Sequence, residues 1–377
     1  MSSPFEKSII LIDGSYGEGG GQILRTSLTL SCMLGRPIEV INIRRARRKP
    51  GLQPQHLTAV KAAATISRAH VKGADLSSTA LRFTPGIIAG GDYFFDISEE
   101  KGSAGSTSLV LQTILLPLCF ARHPSTVTVI GGTHVPWSPS FHYLKNVFLP
   151  MLAFIGVRPD LDIEKWGWYP IGGGKVIARI TPVKEFKPVV ICDRGKPVRV
   201  TGTSAISNLP RDIGVRQRDR ALKMLSQRGI DADIDIVCAP SPGKGTLVFI
   251  LLELENISAG FDALGAIGKR AEEVADEACR ALFEYKDTDG ALDPHLADQI
   301  IPYAAFGNGV SEFTTSRVTQ HLLTNIWAVK QFLDINIQVD GKEGDVGKIR
   351  VQGYGARGKA LSQYEGDATR QSRKEDG

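Results

Sequence analysis

The sequence predicts a mixed α/β (α+β) protein. Its body is built of repeated units, and a small α/β domain is inserted into it. Three observations predict this. Short apolar strands run through small-residue turns into apolar helical patterns, and the pattern recurs roughly every seventy to ninety residues. The pattern stops between about Lys184 and Tyr285 and resumes near Pro294. The chain has 377 residues, 42% hydrophobic and 23% charged, enough for a large core or two domains of ordinary globular composition.

Ile9 to Ile12 is a strand that stops at Asp13-Gly14. Gly17, Glu18, Gly19, Gly20 and Gly21 follow, then a helix from about Gln22 to Leu34, ended by Gly35 and Pro37. Pro37 to Ile43 alternates as a strand. A basic cluster (Arg44, Arg45, Arg47, Arg48, Lys49) then leads through Pro50-Gly51 to a second helix, Gln55 to Ala69. Leu81 to Phe83 and Tyr93 to Ile97 are short strands. Gly102 to Ser106 is a small-residue turn, Leu109 to Phe120 an apolar helix, Thr126 to Ile130 a strand, and Phe141 to Phe154 a helix. Trp166 to Tyr169, the triple glycine Gly172 to Gly174 and Val176 to Ile180 continue the theme.

The inserted stretch reads as strand Val198 to Ser207, basic helix Ile213 to Arg228, strands Ala232 to Val237 and Thr246 to Leu252, and helix Leu264 to Phe283. The basic helix carries Arg216, Arg218, Arg220, Lys223 and Arg228. It suits either a nucleic-acid contact or a solvated face. A pair of helical patterns joined by a turn spans Leu296 to Leu333. Arg357 to Gly377 lacks apolar periodicity and reads as a disordered polar tail.

The net charge of +5 mildly favours a polyanionic partner. Five scattered cysteines without a C-x-x-C pair argue against a zinc ribbon or a disulfide framework and suit a reducing compartment. No signal peptide and no apolar run of transmembrane length are present, so the expectation is a cytoplasmic protein with no membrane partner.

Chemistry concentrates in three stretches. Glycines at a helix start let an anion approach free backbone N–H groups and the positive end of the helix dipole. Gly17 to Gly21 is therefore a phosphate-site candidate, although neither a Walker A loop nor G-x-G-x-x-G is present. Glu18 within the turn suggests a metal bridging acid and phosphate. Arg25, Arg44 and Arg47 supply guanidinium forks suited to phosphates. A tight structural turn with surface arginines is the plainer alternative. In T-T-S-R-V-T-Q-H-L-L-T-N-I, Ser316 or Thr319 caps a helix and places His321 in its first turn, off the apolar stripe. The dipole favours a neutral imidazole there, able to act as a nucleophile or simply to sit at the surface. In D-P-H-L-A-D-Q, Asp298 and Gln299 suit a base edge or ribose hydroxyls, or are helix-start polar residues.

These residues carry a resemblance. D-G-S-Y-G-E-G-G-G-Q-I-L-R at Asp13 to Arg25, R-x-x-R-x-K-P-G-L-x-x-Q-H at Arg44 to His56, G-S-A-G-S at Gly102 to Ser106 and L-V-L-Q-T at Leu109 to Thr113 resemble the RNA 3′-terminal phosphate cyclase family. So do G-G-T-H-x-P from Gly131, H-L-A-D-Q at His295 to Gln299 and H-L-L-T-N-I at His321 to Ile326, all in the same order over about Ile9 to Val339. The resemblance implies a body of βαβαββ-type units over residues 1–183 and 286–345, an inserted α/β domain over 184–285, and a C-terminal strand and polar tail over 346–377.

It also implies a reaction. His321 attacks the α-phosphorus of ATP to give a histidine–AMP adduct. AMP passes to an RNA 3′-phosphate, and the ribose 2′-OH displaces it to give a 2′,3′-cyclic phosphate. By the same resemblance Glu18 lies by the triphosphate and Mg²⁺ or Mn²⁺. Arg25, Arg44 and Arg47 hold phosphates, with Gln55 and His56 at the same pocket. Gln112 and the run His295, Leu296, Ala297, Asp298 and Gln299 contact the nucleotide. His295 stands where the pattern also carries tyrosine, so stacking on adenine is kept only in part. The implied partner is RNA with a 3′-terminal phosphate, and a homodimer is compatible with it. A non-catalytic branch in ribosome biogenesis and an enolpyruvyl transferase of comparable repeats are the rivals. The His321 motif together with Arg25 and Glu18 favours the enzyme.

Overall fold

The computed structural model describes residues 8–99 and 102–355. Its strands form four four-stranded sheets. The first unit runs β1 (Ile10–Asp13), α1 (Gly21–Leu34), β2 (Ile38–Ile41), α2 (Pro54–Ser67), β3 (His70–Lys72) and β4 (Leu81–Thr84). The second runs β5 (Asp92–Asp96), α3 (Thr107–Leu118), β6 (Ser125–Gly131), α4 (Phe141–Tyr143), α5 (Leu149–Ile155), β7 (Asp160–Lys165) and β8 (Gly174–Ile180). In each, the first strand pairs parallel to the second, the second antiparallel to the fourth, and the fourth antiparallel to the third. Both are therefore βαβαββ units.

The third unit has the same pairing but is interrupted. Its first strand is β9 (Val190–Ile191). The chain then leaves to form β10 (Pro197–Ser207), α6 (Arg211–Gln227), β11 (Asp233–Cys238), β12 (Gly245–Leu254), β13 (Ser258–Leu264) and α7 (Ala271–Lys286), whose strands make their own sheet in the order β11-β10-β12-β13. It returns through α8 (Pro294–Gln299), α9 (Ile301–Ala305), β14 (Val310–Thr315), α10 (Gln320–Phe332), β15 (Ile337–Asp340) and β16 (Gly347–Gln352). β9 pairs parallel to β14, which pairs antiparallel to β16, itself antiparallel to β15. Residues 184–191, expected in the insertion, thus include a strand of the body. We propose that the inserted unit begins after Ile191.

Several expected elements differ for local reasons. The helix expected from Leu264 begins at Ala271, because Ser258–Leu264 pairs with β12 and Gly268 (φ 84°) holds a left-handed turn that helix cannot pass. The stretch Leu296 to Leu333 is split by β14, whose Val-Ser-Glu-Phe-Thr-Thr alternates half-buried and buried positions. The helix expected over Phe141 to Phe154 widens to a π turn at Leu144–Phe148. Pro150 supplies no N–H for the carbonyl of Asn146, which lets that turn relax. The strand before the Gly172 turn lies at Asp160–Lys165, upstream of Trp166. The tail from Arg357 lies outside the described residues.

Helix α1 packs against α2, α3 and α10, and α2 against α3. α1 buries ten positions from Ile23 to Met33, including Thr26, Ser27, Thr29 and Ser31. A helix buried on nearly all sides belongs at a centre of packing, and this one carries the start of the glycine turn with it. No helix among the described residues is long and apolar enough to cross a membrane.

The basic helix is α6, and much of its charge is paired at the surface. Arg216 makes a two-bonded pair with Glu272 of α7 at 2.8 Å, and Arg220 pairs with Asp276. Arg218 pairs with Asp219 and Arg228 with Asp287. Arg216 and Arg220 thus join α6 to α7, while Lys223 is exposed.

Candidate active site

A cavity of about 1220 Å³ opens where the first and third units meet the second unit and the inserted sheet. Glu18, Arg25, Arg44, Arg47, Gln55, His56, Gln112, His295, Asp298, Gln299 and His321 all line it. Leu296 and Ala297 do not. They are wholly buried, backbone included, and present nothing to the cavity.

The glycine turn shapes one wall. Gly17 (φ 57°) and Gly19 (φ 56°) adopt left-handed backbone. At Gly21 a Cβ would collide with the His56 ring and approach Arg25 to 2.8 Å. The N-cap of α1 is Gly20, which has no side chain to satisfy the first-turn N–H groups. An uncapped helix start beside guanidinium groups is an anion site.

His321 is half-buried in the first turn of α10, whose N-cap is Thr319. Its Nδ1 lies 2.9 Å from the amide oxygen of Gln22, the second residue of α1. An amide oxygen only accepts, so Nδ1 carries the proton and Nε2 carries the lone pair. Nε2 faces Glu18 Oε2 at 3.3 Å, and Arg47 reaches the same oxygen at 3.3 Å. Burial lowers the imidazole pKa below its ordinary value. Glu18 opposes that, while His295, Arg25 and Arg47 add to it. The result is a neutral imidazole whose Nε2 lies in the cavity beside Glu18 and Arg47.

His56 has the opposite tautomer. Its Nδ1 accepts the N–H of Gln53 at 3.2 Å, leaving Nε2–H toward Gly21 and Arg25. Burial, then Arg25 and Arg44, hold it well below the usual range, so it is a neutral donor. At pH 7.5, long-range ¹H–¹⁵N spectra are therefore expected to report Nδ1–H for His321 and Nε2–H for His56. In Gln22→Leu only the His321 pattern should change, and an unchanged His321 tautomer would refute the Gln22 contact.

Arg25 has no hydrogen bond or ion pair to its guanidinium among the described residues. Burial pushes its pKa down to about 10, against the pull of Asp298, so it stays charged at neutral pH. A half-buried cation with no hydrogen-bonded protein partner expects an anionic ligand. Arg44 is partly committed: one nitrogen donates to the carbonyls of Lys49 (2.6 Å) and Gly51 (3.1 Å) and shapes its own loop. Gln55 is also engaged, accepting the N–H of Ser106 at 3.1 Å.

The opposite wall is α8. Gln112 donates to Gln299 at 2.7 Å, joining α3 to α8. Burial and the neighbouring Asp293 push the Asp298 carboxyl well up, with Arg25 pulling against them. Asp293 caps α8 and accepts the Tyr143 hydroxyl at 2.8 Å.

Sequence reasoning missed the residues that join these walls. Asn325 accepts from Thr26 at 2.7 Å and donates to the carbonyl of Asp298 at 2.8 Å, tying α1, α10 and α8 together. It lies one helical turn after His321 on the same face, a spacing legible in the sequence. Gln22 gave no comparable signal, since its partner is 299 residues away.

Comparisons with known proteins agree along the chain. The family described as RNA 3′-terminal phosphate cyclase matches residues 16–339. A protein named RNA 3′-terminal phosphate cyclase from Methylococcus capsulatus is 44% identical over 350 residues, covering 92% of this chain and 97% of that one. A Pyrobaculum aerophilum protein of the same name is 43% identical over 349 residues, covering 92% and 99%. One from Gloeothece citriformis is 42% identical over 334 residues, covering 87% and 95%.

Proposed function

The chain belongs to the RNA 3′-terminal phosphate cyclase family, enzymes that use ATP to close an RNA 3′-phosphate into a 2′,3′-cyclic phosphodiester, and we propose that His321 is the nucleophile. The single observation that carries this reading is the His321 ring, held at Nδ1 by Gln22 with Nε2 3.3 Å from Glu18, in the cavity that Arg25, Arg47 and the uncapped start of α1 also line.

Nε2 attacks the α-phosphorus of ATP. The bond to the bridging oxygen breaks, pyrophosphate leaves, and AMP remains on Nε2. The ring becomes cationic, and Gln22 accepts its Nδ1 proton throughout. A terminal oxygen of the RNA 3′-phosphate then attacks the same phosphorus, and the N–P bond breaks with its electrons returning to Nε2. Finally the neighbouring 2′-OH attacks the RNA phosphorus, losing its proton as AMP departs. That closure forms a five-membered ring within one nucleotide, so proximity supplies much of the acceleration. The chain's remaining task is to position phosphates and neutralise their charge.

Arg25, Arg47 and His56 Nε2–H are the groups we assign to phosphate. Gln112, Asp298 and Gln299 we assign to the nucleoside. We assign Glu18 to a Mg²⁺ or Mn²⁺ ion. One carboxylate beside a phosphate site suits such an ion, which commonly takes its other ligands from substrate phosphates and water. The ion would neutralise charge on the triphosphate.

The test uses α-labelled ATP and divalent metal, followed by denaturation. Label on the protein, released by acid and stable to alkali, is expected of a P–N bond, and no label would overturn the reading. Gln22→Leu is expected to slow labelling on the order of 10²-fold, because half of the fixed tautomer's geometry is lost. Gln22→Glu, which still accepts from Nδ1, should recover most of it. Equal rates in Gln22→Leu and the unaltered protein would remove Gln22 from the mechanism.

A further inference from the structure

We infer that Trp137, together with Arg317, forms a subsite for the 3′-terminal nucleoside of the RNA, with the base stacked on the indole and a backbone phosphate against the guanidinium. This rests on the cyclase reading above and extends it to a second ligand in the same cavity.

Trp137 is 98% exposed and lines the cavity. Trp166 and Trp168, by contrast, are buried in the core, and Trp327 stacks on Tyr16 at 4.1 Å. The backbone of Trp137 is left-handed (φ 66°), a costly conformation for a bulky side chain. The loop holds it there. Pro136 and Pro139 flank it, and Ser138 Oγ donates to the carbonyl of Val135 at 3.0 Å. Next to this loop, His134 is buried and stacked on Trp166 at 4.2 Å. Folding gains nothing from a strained, solvated indole. Such an outlier at a cavity mouth is explained by a ligand with a flat face.

Arg317 is exposed, lines the same cavity, and has no ion-pair partner among the described residues. It stands four residues before His321 on the loop that leads into α10. An aromatic face and a free guanidinium are the two parts of a single-strand nucleic-acid site. Stacking is indifferent to base identity, which suits a substrate defined by its terminal phosphate. The space is also sufficient. At about 1220 Å³ the cavity exceeds the few hundred to about 1,000 Å³ of a typical small-ligand pocket, leaving room for an RNA end beside the nucleotide.

The test is RNA binding without ATP, so that no turnover occurs. The probe is a fluorescent oligoribonucleotide with a 3′-phosphate, read by anisotropy, with an ordinary or an abasic terminal nucleotide. Trp137→Ala is expected to weaken binding about tenfold. Trp137→Phe should keep most of the affinity. The abasic end should weaken the unaltered protein about as much and Trp137→Ala no further. Arg317→Ala should weaken both probes alike and lower the salt slope of log K by about 0.7. The inference is overturned if Trp137→Ala binds like the unaltered protein, if it still discriminates against the abasic end, or if it loses self-labelling from ATP, which would place the indole on the nucleotide. Binding is read without chemistry. An unaltered protein that binds RNA but does not cyclise it would therefore count against the proposed function and not against this subsite.

Discussion

His321→Ala and His321→Asn are expected to abolish the covalent AMP adduct and RNA cyclisation while ATP still binds. The loss should be on the order of 10⁴-fold or more, the scale on which a covalent nucleophile is removed. The argument begins with placement. Thr319 caps α10 and accepts the N–H of Leu322 at 3.1 Å, setting His321 in the first turn, while Leu322, Ile326 and Val329 take the buried face. The ring therefore reaches the cavity. Gln22 then fixes the tautomer, and burial keeps the lone pair unprotonated at neutral pH. Arg25 and the start of α1 remain able to hold the triphosphate, so binding survives when the nucleophile is gone. The Asn variant keeps a polar group of similar reach and tests nucleophilicity apart from packing. Label that persists in His321→Ala, or that maps by peptide sequencing to a lysine, would sink the assignment.

Glu18→Ala is expected to lose metal-dependent adenylylation at ordinary Mg²⁺ or Mn²⁺ while remaining folded, with a deficit on the order of 10²- to 10³-fold. Two readings of Glu18 must be separated: metal ligand, or charge partner of His321 and Arg47. Their signs differ. Glu18 is the group that raises the His321 pKa against burial and the neighbouring cations. Removing it leaves His321 more fully neutral, so a slower variant cannot be explained by a protonated nucleophile. Removing it also frees Arg47, held at 3.3 Å, to meet phosphate. If pairing were its whole role, Glu18→Ala would label as fast as the unaltered protein or faster. A metal-binding role predicts slow labelling that rises with metal concentration. Full label at ordinary metal would end the proposal.

The chain order of strands, glycine turns and helices was legible because each is a local signal. Gly17 to Gly21 must be a turn, since left-handed backbone recurs within it, and Thr319 must begin a helix, since its hydroxyl caps one. The repeat, and an interruption expected from about Lys184, were read from the same patterns. The short strands β3, β9 and β15 were not legible, and each is held by the strand it pairs with.

At the site the division is similar. The family resemblance of their motifs implied that His321, Glu18, Arg25 and Asp298 share a site, and all four line one cavity. Only the tertiary structure decided their surroundings. Gln22 meets His321 across 299 positions and fixes its protonated nitrogen, and Gln53 gives His56 the other tautomer. Helix α8 turns Leu296 and Ala297 into the core while leaving Asp298 and Gln299 at the cavity. Arg216 and Arg220 of α6 pair with α7. Capping, helical period and turn geometry are short-range consequences of covalent structure. Protonation, pairing and exposure depend on which distant groups share a low-dielectric space, and that is settled when the three units close around α1.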